Sequence, residues 1–181
     1  IAGELTKIGI NLNLAPVADL ASDQNPSYAM RCLGSDADGV ADLLDDFVSG
    51  MREGGLSVTL KTFPGIGNVS ADVTESIAEN TDSLMTIRDT NFVPYASGIQ
   101  AGADCVMVSN AAYSKLTVKK VPAFMSQDIV TKLLREELGF DGIVMSDWSA
   151  TYDAVEAANG GLDLEMPRAK CRGISRSAMR L

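Results

Sequence analysis

The chain has 181 residues, 46% hydrophobic and 22% charged, a balance that suits a globular domain large enough to bury a sizeable core. A net charge of −9 argues against nucleic acid or an anionic membrane as partner, and no apolar run nears the roughly 20 residues that span a bilayer. Histidine is absent, which removes Ser-His-Asp and Cys-His mechanisms and most zinc chemistry, while Cys32, Cys105 and Cys171 lack the paired spacing of a disulfide framework or zinc site.

Ile10 to Val17 reads as a strand ending near Asp19. Val40, Leu43, Leu44, Phe47, Val48 and Met51 then repeat as one apolar helix face, stopped by Gly54-Gly55. Leu56 to Leu60 gives a second strand running into Lys61-Thr62-Phe63-Pro64. A less regular helix is predicted from Ser83 to Gly102, with Pro94 as its kink or break. Cys105 to Val108 is a third strand, ending at Ser109-Asn110. Ser126 is the expected cap of a helix whose inner face is Ile129, Val130, Leu133, Leu134 and Leu138, with Gly139 as its stop. Gly142 to Met145 forms a fourth strand ending at Ser146-Asp147. After a short helix through Val155, Leu162 to Met166 is the expected fifth.

Alternating strands and helices predict an α/β fold with a parallel sheet covered on both faces, either an open doubly wound sheet or a (β/α)8 barrel of the TIM type. No glycine-rich phosphate loop follows a strand, which disfavours the nucleotide-binding form. Each strand instead delivers a polar residue at its C-terminal end (Asp19, Lys61, Asn110, Asp147 and Glu165), and β/α barrels assemble active sites from that edge. One such residue is ordinarily the start of a loop; five in succession point to a shared site. A whole barrel takes eight strands and about 250 residues. Five strands therefore predict an incomplete barrel in this chain, with strands missing on the N-terminal side and one on the C-terminal side. No repeat or linker divides it, so one domain is expected over residues 1–167. Residues 168–181 carry five Lys or Arg and no acid, and read as a solvated, disordered basic tail.

Four segments carry a resemblance. Asn13-Leu14-Ala15-Pro16-Val17-Ala18-Asp19 resembles the third-strand motif of family 3 glycoside hydrolases. Arg31-Cys32-Leu33-Gly34-Ser35-Asp36 is similar to that family's R-S-F-G-S-D segment, and Lys61-Thr62-Phe63-Pro64-Gly65-Ile66-Gly67 to its K-H-F-P-G-H-G loop. Leu134 to Trp148 resembles the nucleophile strand, the most specific of the four. All stand in family order between Ile1 and Pro167.

The resemblance implies a catalytic barrel that hydrolyses O-glycosyl bonds with Asp147 as nucleophile. Retaining glycosidases need a carboxylate to attack the anomeric carbon and a donor to protonate the leaving oxygen. Asp147 follows an apolar strand and precedes Trp148, an aromatic face suited to a sugar ring; taken alone, it also reads as an N-cap. Arg31 and Lys61 match positions that bind sugar hydroxyls, with a structural ion pair as the alternative. Asn110 and Trp148 join that expected set, as does Asp19, which either contacts sugar or only orders its loop. The acid is where the pattern departs. In the N-acetylglucosaminidase branch a loop Asp-x-His supplies it, and here Asp72 meets the Asp position while Thr74 replaces the His. A threonine hydroxyl is a poor general acid. Thr62, Ile66 and Asn110 similarly stand where relatives carry His.

Glu75, or a residue outside this chain, is the alternative acid; β-glucosidases of the family take theirs from a following C-terminal domain. The expected substrate is therefore a terminal β-linked sugar, with β-N-acetylhexosaminide first and β-glucoside second. A catalytically impaired carbohydrate-binding relative is a third reading, and an aldolase-type barrel using Lys61 as a Schiff base a fourth. No metal or organic cofactor is implied, and the partners expected are carbohydrate, the missing N-terminal barrel segment and a following domain, with no nucleic acid or membrane.

Overall fold

The computed structural model describes residues 1–69, 77–148 and 153–166. Asp72, Thr74, Glu75 and the basic tail at 168–181 lie outside the described residues.

In chain order the strands are β1 (Leu12–Asn13), β2 (Ser57–Phe63), β3 (Glu79–Asn80), β4 (Cys105–Val108), β5 (Ala112–Tyr113) and β6 (Ile143–Ser146). Strands β1, β2, β4 and β6 pair in that order and all run parallel. Leu164 adds a parallel bridge to Met145, so the expected fifth strand is present as a bridge rather than a ladder. The first strand is also shorter than its apolar run. Pro16 has no N–H to give a ladder, and β1 ends at Asn13, with Val17 returning to Lys61 only as a bridge.

The sheet's two faces are set by alternation. Val58, Leu60, Val106, Val108 and Val144 pack outward into the main core under the helices, while Cys105, Met107 and Met145 form a second cluster inside with Leu12, Leu14 and Met166. Register lays these inner residues in layers, Lys61 beside Met107 and Met107 beside Met145, as barrel interiors require. Lys61 is thus the charged top of a layer that is otherwise thioether.

Helix α3 (Ala37–Glu53) follows α1 (Ala2–Lys7) and α2 (Pro26–Ala29) and covers β2. Asp36 caps it by accepting the Gly39 N–H at 2.8 Å. Its far end is a Schellman turn, in which Leu56 N–H donates to the Met51 carbonyl and Gly55 adopts φ +76°. Val40, Leu44, Val48 and Met51 are buried, whereas Leu43, predicted on the same face, is half exposed.

The expected 83–102 helix is two, α4 (Leu84–Asp89) and α5 (Phe92–Gln100). Pro94 is not the break. It occupies the first turn of α5, where its missing N–H would have had no helical partner. Gly98 lets α5 approach the sheet: a Cβ there would lie 2.8 Å from Leu60. The next helix, Asp128–Glu137, is π-wound and begins without a side-chain cap; Ser126 contributes its carbonyl to the Ile129 and Val130 amides instead. Its buried face of Ile129, Val130, Leu133 and Leu134 is the predicted one. Helix α6 (Ala154–Gly160) completes the described elements. The small parallel pair β3–β5 was not foreseen, since two-residue strands carry no periodicity.

Candidate active site

Asp19 stands at the end of the first strand run and is fully buried. A carboxylate enclosed this way must be saturated with donors. Oδ1 accepts the Thr62 amide (3.1 Å) and the Tyr95 hydroxyl (2.8 Å); Oδ2 accepts the Tyr28 hydroxyl (2.8 Å), the Thr62 hydroxyl (2.8 Å) and the Ile66 amide (3.2 Å). Burial pushes its pKa above the usual carboxylate range, and the bonds from Tyr95, Thr62 and Tyr28 pull the other way. Five donors leave no lone pair facing a ligand. Two of them, the Thr62 and Ile66 amides, tie Asp19 to the loop that follows Lys61.

Lys61, on the inner face of β2, is half-buried and donates to the Leu14 carbonyl at 2.5 Å. Burial lowers its pKa, the Arg31 guanidinium lowers it further, and the Asp147 carboxylate opposes both. Register sets Lys61 beside Met107 and Met107 beside Met145, two residues before Asp147, and the Tyr28 hydroxyl lies 2.9 Å from that of Thr62, the residue after Lys61. Arg31 is exposed, with its guanidinium 5.0 Å from the centre of the Tyr28 ring, a cation–π stack. Asp147 is part-buried directly after β6, and its Oδ1 accepts the Trp148 amide at 2.7 Å. The Trp148 side chain is 53% exposed.

Asn110 is buried at the end of β4. Glu165 follows the Leu164 bridge and is half-buried.

The sequence reading missed the tyrosines. Tyr28 and Tyr95 hold Asp19, and Tyr113 donates to the Gly65 carbonyl at 2.8 Å, pinning the Phe63–Gly67 loop from its other side. A signal was available, because an aspartate ending Ala15-Pro16-Val17-Ala18 has no neighbour in sequence to satisfy it. Thr62 is turned into this cluster, where its hydroxyl donates to Asp19, and it is 4% exposed.

Residues 1–175 match the Glycosyl hydrolase family 3 N terminal domain. The chain belongs to glycosyl hydrolase family 3. Among family relatives, a Beta-hexosaminidase of Xylella fastidiosa (strain M23) is 37% identical over 147 residues, 81% of this chain and 43% of its own length. A Beta-hexosaminidase of Stenotrophomonas maltophilia (strain K279a) matches to the same extent. The chain therefore spans less than half the length of these curated relatives. In structure it resembles a glycoside hydrolase family 3 beta-N-acetylglucosaminidase from Paenibacillus sp. str. FPU-7, with a TM-score of 0.86 and 31% identity over 91% of this chain and 34% of that one. The Beta-N-acetylhexosaminidase from Beutenbergia cavernae DSM 12333 superimposes with a TM-score of 0.80 and 36% identity over 93% and 54%. The parallel arc of β1, β2, β4 and β6 is accordingly part of a family 3 (β/α)8 barrel, and the doubly wound alternative falls away.

Proposed function

We propose that this chain is the barrel portion of a retaining glycoside hydrolase that releases terminal β-linked N-acetylhexosamine. The observation that carries the reading is the register that sets Lys61 beside Met107 and Met107 beside Met145, two residues before Asp147, with Arg31 stacked on Tyr28, whose hydroxyl lies 2.9 Å from that of Thr62, and with Trp148 exposed next to Asp147 in sequence. The names of the Beta-hexosaminidase relatives favour the N-acetylated sugar over a glucoside.

In this reading an Asp147 oxygen attacks the anomeric carbon as the bond to the leaving oxygen breaks, forming a glycosyl-enzyme ester that water then cleaves with net retention. Charged donors from Arg31 and Lys61 bind sugar hydroxyls, and the Trp148 ring offers a stacking face. The leaving oxygen needs a proton. Asp72 with Thr74, Glu75 or a group beyond this chain are the candidates for that role.

Incubation with 5-fluoro-N-acetylglucosaminyl fluoride and, separately, 2-deoxy-2-fluoro-glucosyl fluoride tests this. Fluoride departs, an ester forms, and peptide mass spectrometry locates the added mass. An adduct on Asp147 from the first reagent is the expected result. An adduct from the second alone moves the assignment to β-glucosidase, and none from folded protein supports a sugar-binding relative.

A further inference from the structure

We propose that Asp19 is a positioning residue, fixing the Arg31 turn and the Lys61 strand end in one relation without itself touching sugar. The proposal rests on the hydrolase reading above.

Asp19 Oδ2 joins two segments that each carry a candidate sugar ligand. From one side comes the hydroxyl of Tyr28, whose carbonyl accepts the Arg31 amide at 2.9 Å and whose ring lies under the Arg31 guanidinium. From the other comes the hydroxyl of Thr62, the residue after Lys61, and the two hydroxyls are 2.9 Å apart. Carboxylate and two hydroxyls thus close a buried triangle. Its corners lead by one residue to Lys61 and by one helical turn to Arg31. The Thr62 and Ile66 amides add backbone donors from the same loop, so the peptide units following Lys61 are held as well as the side chains.

The fifth donor supplies an internal control. Tyr95 donates to Oδ1 over the same 2.8 Å, but from α5, which carries none of the candidate ligands. If Asp19 were only a packing anchor, losing the Tyr95 or the Tyr28 hydroxyl would affect sugar binding alike. If it positions Arg31 and Lys61, Tyr28 matters more.

The test uses the full chain and its single tryptophan, Trp148, which neighbours the candidate nucleophile. Fluorescence is titrated with N-acetylglucosamine for the unsubstituted protein, Tyr28→Phe and Tyr95→Phe, and each is melted thermally. Tyr28→Phe keeps the ring under Arg31 and deletes only the hydroxyl. Both variants should lower Tm by similar amounts. Affinity should fall about fivefold in Tyr28→Phe and less than about twofold in Tyr95→Phe, the range expected for one lost hydrogen bond. Equal losses, a larger loss in Tyr95→Phe, or unchanged binding in both overturns the positioning role and leaves the hydrolase reading standing. A folded, unsubstituted protein that does not bind the sugar overturns both. Should Tyr28→Phe not fold, Thr62→Val breaks the same triangle while keeping the backbone N–H, and carries the same expectation.

Discussion

At the C-terminal edge of the sheet Asp19 is wholly buried and meets five uncharged donors, whereas at the N-terminal edge Asp104 and Asp163 are part-exposed and each pairs with an arginine. Among the described residues the lower arrangement occurs twice. Asp104, just before β4, accepts the amide of Val58, the second residue of β2, and pairs with Arg52 at 2.7 Å. Asp163, just before Leu164, accepts the amide of Val144, the second residue of β6, and pairs with Arg135 at 2.6 Å. Each follows a glycine of positive φ, Gly102 and Gly161, in a Gly-x-Asp step. The two edges teach different lessons about charge. Below, arginines in water's reach lock each strand to the next at little electrostatic gain. Above, a buried charge is held by oriented hydroxyls and amides, leaving the cations Arg31 and Lys61 uncommitted to it.

That contrast can be broken most severely at Asp19. Asp19→Ala strands five buried donors and should cost about 4 kcal/mol of unfolding free energy, less than the full penalty of about 1–3 per stranded donor because several can turn to new partners. Urea denaturation measures it, and a loss below about 1 kcal/mol would mean that water enters and replaces the carboxylate.

Two glycines sharpen the comparison, one from each edge. A Cβ on Gly67 would meet the Leu20 carbonyl at 2.0 Å, and one on Gly142 the Asp104 carbonyl at 2.3 Å. Gly67→Ala and Gly142→Ala should each destabilise by about 2 kcal/mol. Only Gly67→Ala should also weaken N-acetylglucosamine binding, since only that loop adjoins the site. Matching affinity losses would show that the edges are mechanically coupled.

A smaller effect is expected from the lower edge alone. Arg135 donates to the Phe140 and Gly142 carbonyls, stacks on Phe140 and pairs with Asp163. Arg135→Met keeps the stem and should cost about 1 kcal/mol, part of it reproduced in the parent by raising salt, which screens the ion pair. Guanidinium-free melts at two ionic strengths separate these parts.

The smallest effect is a pH limb. Burial and Arg31 lower the Lys61 pKa from its ordinary 10.5. Its charged form is lost as pH rises through that lowered value, so sugar affinity should begin to decline before pH 10.5. Lys61→Arg, charged throughout, should flatten the limb. A wild-type profile flat to that pH would remove Lys61 from the binding set.

The sequence alone determined the order and kind of the long elements, because each rests on a pattern contained within one helix or strand. The α3 stripe of Val40, Leu44, Val48 and Met51 and the continuous apolar run of β4 are such patterns. It also announced the polar residues at the strand ends, through motifs read in order. Pro94 was misjudged because a proline in a first turn and one in a helix middle look alike until the helix start is known. The Gly-x-Asp steps were spelled out at 102–104 and 161–163, yet their meaning required knowing which strand lies beside which. Tertiary structure alone decided what surrounds Asp19. Its partners are 9, 43, 47 and 76 residues away, and no local pattern reports a bond of that reach. The burial that makes such a charge need five donors exists only once strand, loop and α5 have closed over it.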